Sequence, residues 1–158
     1  MNTIESSSNQ KIEDWILDFL SQPNSAFDNL PPCPYAKKAW LDGNVEVKEF
    51  VSFAEMRKDL DGWNKEVIIY LFQYTTLPRC TELQTLASKF NEEFPDFLFL
   101  EESPDLVEDV GGVIVNQGEL CMMLVQKRKP LEEAREELMK TGYYDNWTED
   151  MKERIMDR

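Results

Sequence analysis

The apolar residues of this chain fall into separate runs with different spacing. Ile12, Trp15, Ile16, Phe19 and Leu20 lie three and four apart. That spacing predicts a helix with one apolar face, which Ser8 or Asn9 would cap. Residues 1–10 are polar and predict a disordered lead. Residues 22–34 contain Pro23, Pro31, Pro32 and Pro34 and read as a loop, followed by a short helix over 35–41. Val45 to Val51 alternates as a strand. Phe53, Met56 and Leu60 mark one side of a helix that Asp61-Gly62 ends. Val67 to Phe72 is an unbroken apolar run rich in β-branched residues, which predicts a central strand buried on both faces.

Pro78 opens a helix to Phe94, with Leu83, Leu86, Ala87 and Phe90 turned inward. Phe97 to Leu100 predicts another short strand. Val113–Val115 and Leu120–Gln126 flank Asn116-Gln117-Gly118-Glu119 and read as a hairpin. Pro130 starts a helix through Lys140 that Gly142 stops. Thr148 caps a last short helix carrying Met151 and Ile155. From Val45 onward the order is therefore β-α-β-α-β-β-β-α. Each strand–helix–strand unit predicts parallel neighbours by a right-handed crossover, and the final hairpin adds antiparallel strands.

Composition narrows the chemistry. The 158 residues suit one domain, and 42% of them are hydrophobic, enough for a core without disulfides or metal. No apolar run approaches the roughly 20 residues of a membrane span, and the start is unlike a signal peptide, so the expected location is the cytoplasm. Three widely spaced cysteines, Cys33, Cys80 and Cys121, read as free thiols. A formal charge of −14 argues against nucleic acid and anionic membrane surfaces. There is no histidine. That excludes a Ser-His-Asp triad, a Cys-His pair and the usual histidine-bearing zinc and iron sites within the chain. No CxxC, Walker loop or GxGxxG occurs, and the acidic stretch from Glu101 to Asp109 lacks the spacing of a calcium loop. No cofactor and no metal are expected.

The succession of elements is similar to thioredoxin over 45–140, and so is the local text. KEVIIYLFQYTTLPRCTELQTLASKFNEEFPDFLFL (65–100) resembles the family's strand, active-site turn, long helix and next strand. GVIVNQGELCMMLVQKRKPLEEAREEL (112–138) resembles its terminal hairpin and helix. Leu77 stands where the family has its first cysteine, Cys80 keeps the second, and Val110-Gly111-Gly112 replaces a proline that faces the active site. The phosducin-like branch, which lacks the two-cysteine motif, is nearer. The resemblance implies an α/β fold: a thioredoxin-like three-layer sandwich, with a mixed central sheet and helices on both faces. An N-terminal helical extension over 11–44 would precede it, and 143–158 would form a tail or short helix. Cys33-Pro34-Tyr35-Ala36 resembles a glutaredoxin motif whose second cysteine is alanine. It also resembles the Cys-Pro-Phe-Ala segment of an uncharacterised bacterial family.

Two thiols are candidate catalytic residues. Cys33 precedes a helix opening at Pro34, with Lys37 and Lys38 one turn along, an arrangement that stabilises a thiolate. The plain alternative is a small residue plugging a proline-rich loop. Cys80 falls in the first turn of its helix beside Arg79, or simply faces the sheet. Cys121, in an apolar strand, is core. Candidate binding residues are Tyr35, Lys37, Lys38 and Trp40 around Cys33, with Tyr144 and Trp147 after the last long helix. The leading expectation is a thioredoxin-like binding or regulatory module without dithiol activity, acting on a protein partner. The alternatives are a monothiol redox enzyme using Cys33 and a structural or assembly component, for instance of a virus.

Overall fold

The computed structural model describes residues 3–27, 29–50, 52–72, 80–104, 109–110, 112–115 and 120–156. Val67–Leu71 forms β2, and its Ile68, Ile69 and Tyr70 are all buried, so the strand is covered on both faces as its unbroken apolar run predicts. It pairs in parallel with β1 (Val45–Glu49) and antiparallel with β6 (Met122–Lys127). β6 in turn pairs antiparallel with β3 (Phe97–Glu102), giving the order β1-β2-β6-β3. The fold is thus mixed α/β, a four-stranded mixed sheet with helices on both faces.

Two expectations about pairing are corrected. Only the first strand–helix–strand unit gives parallel neighbours, because β6 stands between β2 and β3. β3 is as buried on both faces as β6, through Phe97, Leu98 and Phe99. It tolerates the edge because it carries Glu101 and Glu102 at its end and its outer backbone is occupied. Asn91 Nδ2 donates to Phe99 O at 3.0 Å, Phe99 N–H donates to Asn91 Oδ1 at 2.7 Å, and Arg128 Nε donates to Phe97 O at 3.0 Å. The second correction concerns Val113–Ile114 (β5). It pairs with Asp109–Val110 (β4) in a separate two-stranded ribbon instead of with the last long strand.

One face of the sheet carries α3 (Phe53–Asp61) and α4 (Cys80–Glu93). Ser52 caps α3 by accepting from Glu55 N–H at 3.1 Å. Met56, Leu83, Ala87 and Phe90 pack there on Ile68, Tyr70, Phe99, Met123 and Val125. Phe50 stacks on Phe72 with ring centroids 4.4 Å apart.

The other face is covered from the N-terminal side. α1 (Thr3–Asp14) begins inside the segment read as a disordered lead, so Ser8 and Asn9 lie within the helix and do not cap it. It runs into a π-helical turn, Trp15–Leu20, and both pack with α2 (Ala36–Leu41) over Ile69, Met122 and Leu124. Within the 11–44 segment, Ile12, Ile16 and Trp40 pack against this face of the sheet.

A third cluster joins Phe27, Val110, Tyr143, Tyr144, Trp147 and Met151. It lies after α5 (Arg128–Lys140), which starts two residues before Pro130, and includes α6 (Glu149–Met156). Thr148 Oγ1 accepts from Met151 N–H at 3.2 Å, the predicted cap. Leu77, Pro78 and Arg79, the residues Asn116 to Glu119 expected to turn a hairpin, Val51, Gly111 and the side chains of Cys80 and Ile155 lie outside the described residues.

Candidate functional site

The strand pleat sends Val45, Val67 and Gln126 to the N-terminal side of the sheet in one row, with Val47, Ile69 and Leu124 in the next. Ile69 is buried, but Val45, Val67 and Leu124 are only partly covered. A cavity of about 510 Å³ lies over them. Trp15, Ile16 and Leu20 of the π-helical turn close one side, and Pro130, Leu131 and Ala134 of α5 another. Its lining is mostly aliphatic and aromatic, and its size falls within the ~300–1,000 Å³ of small-molecule sites. Lys38, Lys65, Glu66 and Lys127 are the charged residues of the lining. Two of these ammonium groups end beside the same turn. Lys38 pairs with Asp42, and Lys65 Nζ donates to Gly43 O at 3.0 Å.

Cys33 lies in the cavity wall, next to Tyr35 and Ala36. Its N–H donates to Leu20 O at 2.8 Å, which ties the proline loop to the π-helical turn. The loop is also pinned from the far end of the chain, where Tyr143 OH donates to Pro31 O and is 3.2 Å from Pro32 O. Cys33 is partly exposed as a residue, yet burial is the largest influence on its thiol and pushes the pKa above its usual value. The N–H groups of Tyr35 and Ala36 and the charge of Arg135 act in the opposite sense and do not overcome it.

This corrects the expectation of a helix-start thiolate. α2 is only six residues long, and Lys37 and Lys38 are both exposed. The cation that acts on the thiol is Arg135, from a helix a hundred residues away in sequence. Arg135 is itself lowered, chiefly by burial. Burial likewise raises Tyr143 and Tyr144, which both feel the Cys33 thiol.

The structure thus brings Cys33, Tyr35, Lys38 and Tyr144 into one neighbourhood and adds Arg135, Trp15 and Lys65, which sequence reasoning missed. Trp15 had a legible helical spacing but no sign of what its face would meet. Tyr144 and Trp147 are buried in the third cluster, so they form core and present no surface to a partner. Trp40 is partly buried, and its Nε1 donates to Glu13 Oε2 at 3.3 Å, linking α2 to α1. Cys121 is buried on the opposite face of the sheet, where α4, the helix that begins at Cys80, also packs. Among the described residues no three Cys, Asp or Glu side chains converge as a metal site, and no helix is long and apolar enough to cross a membrane.

Comparison of the chain with protein-family models, with curated proteins and with solved structures finds no match.

Proposed function

We propose that this chain is a binding module that takes a small apolar ligand in the cavity lined by Cys33 and does no dithiol chemistry. The observation that carries this reading is the cavity itself: about 510 Å³ over half-covered Val45, Val67 and Leu124, walled by three separate parts of the chain. A concave, mostly apolar groove of this size with a few polar groups at its margin is the usual form of a small-molecule site.

The sulfur inventory supports the second half. A dithiol reductase needs a resolving thiol. Ala36 occupies the position where the glutaredoxin-like motif would supply one. Cys121 lies across the sheet from Cys33, and Cys80 begins a helix that packs on that far side. A thiol pushed up by burial is also a poor nucleophile at neutral pH, which weighs against the monothiol enzyme. The thioredoxin-like ancestry is part of the proposal only as a fold reading. The leading parallel β1-α3-β2 unit and the helices on both faces favour it, and the place of β6 between β2 and β3 does not. A protein partner, if there is one, has the exposed Tyr35 and Leu41 to use.

The test is titration with the apolar fluorophore 1-anilinonaphthalene-8-sulfonate, alongside an insulin-reduction assay. One saturable site per chain, lost in Ala134→Trp, and no insulin turnover are expected. Turnover that disappears in Cys33→Ser would overturn the reading and make the chain an enzyme.

A further inference from the structure

The charge around the cavity differs from that of the whole chain. The chain holds 31 acidic residues against 17 basic ones, yet the charged lining of the cavity is three lysines and one glutamate. In a field that repels anions almost everywhere, this rim is locally inviting to one. The arrangement is also polarised. Ile16, Ala39 and Ile69 are buried within the wall, whereas Lys38, Glu66 and Lys127 are exposed. The ammonium groups of Lys38 and Lys65 share the turn at Asp42-Gly43 beside Val45. The Lys38–Asp42 pair is no obstacle, because its lysine side chain is 81% exposed and such surface pairs are weak.

An apolar interior with a cationic rim matches a ligand with a long apolar part and one anionic end. A neutral apolar ligand would leave the lysines unused. A compact polyanion such as a nucleotide would leave the aliphatic interior unfilled. We infer that the cavity binds a long-chain carboxylate, with its chain between Trp15, Ile69 and Leu124 and its head at the rim of Lys38 and Lys65. This inference rests on the binding reading above and names the ligand class for the same site.

Cys33 supplies the reporter. A chain filling the cavity covers the wall that holds the thiol, so occupancy slows its alkylation. The experiment compares octanoate, decanoate and dodecanoate with 1-decanol on the purified full chain. Affinity is followed by tryptophan fluorescence, and Cys33 protection from iodoacetamide by peptide mass mapping. Affinity is expected to rise about fourfold per added methylene. Decanoate should bind at least tenfold more tightly than 1-decanol and protect Cys33.

Lys65→Glu and Lys38→Glu should each weaken decanoate severalfold and leave 1-decanol unchanged. Because the Lys38 side chain is 81% exposed, a folding defect in the first variant does not spoil the test. Equal affinity for decanoate and 1-decanol, or no effect of either charge reversal, overturns the ligand class and leaves the cavity a general apolar site. Binding by neither compound, with Cys33 alkylated at an unchanged rate, overturns the binding reading as well.

Discussion

On one face of the sheet Phe90, Phe97, Phe99, Met123 and Val125 are all at least nine-tenths buried; on the other, Val45, Val67 and Leu124 remain half-covered beneath a cavity. Both faces come from the same alternating strands, so the pleat does not explain the contrast. The cover does. α3 and α4 are joined to the sheet by adjacent strands and bring Met56, Leu83, Ala87 and a row of phenylalanines down onto it. The opposite cover hangs on the proline-rich loop. Tyr143 holds that loop through Pro31 and Pro32, and Cys33 N–H holds it to Leu20. These contacts fix residues 31–33 just ahead of α2, which covers the strands only in part. The difference teaches that an apolar strand surface is a core only where its cover reaches it.

The largest effect that can break this comparison comes from truncation. Phe99→Ala should cost about 3–5 kcal/mol, because its site is close-packed, whereas Leu124→Ala should cost no more than about 2 kcal/mol, since its side chain already borders empty space. Urea unfolding of both variants measures this, and equal losses would mean that the two faces are equally packed.

Enlarging a residue should reverse the sign between the faces. Ala87→Leu forces three added carbon atoms into a helix–sheet contact and should destabilise by about 1–3 kcal/mol. Ala134→Leu extends into the cavity and should stabilise by about 0.5–1 kcal/mol. Thermal melts suffice, and a loss in Ala134→Leu would show that the cavity wall cannot accept added volume.

The smallest effect concerns the thiols. Cys33 in the cavity wall should alkylate more slowly than a free thiol, yet faster than Cys121, which is 7% exposed on the packed face. Burial favours the neutral Cys33 thiol in the folded state, so its pKa is higher folded than unfolded. The unfolded chain then loses that proton first as pH rises past the ordinary value of 9.0. Stability from this group is complete below that value and is lost as pH rises through the folded pKa. Stability measured from pH 8 to 10.5 should therefore fall less steeply in Cys33→Ala than in the wild type. An alkylation rate for Cys33 that is already maximal at pH 7 would contradict the raised pKa.

The particular elements divide by what kind of information they need. β2 was readable because a continuous apolar run has one stable place, between neighbours and beneath cover on both sides. α3 followed from the spacing of Phe53, Met56 and Leu60, α5 from Pro130 and Gly142, and α6 from its Thr148 cap, signals that act within a few residues. The absence of histidine excluded a Ser-His-Asp triad and a Cys-His pair within the chain by composition alone, since no fold can supply a missing functional group. The position of β6 was not readable, because strand order depends on which strands pair, a comparison among segments far apart in sequence. The Cys33 environment was misjudged for the same reason. Local spacing pointed to a short helix and two lysines, but the thiol's pKa is decided by surrounding protein and by Arg135, residues that only the folded chain brings near. The cavity lies furthest from the sequence, for a volume belongs to no residue. It exists where Trp15, Val67, Leu124 and Ala134, each an ordinary apolar position along the chain, are held apart by the packing of everything else.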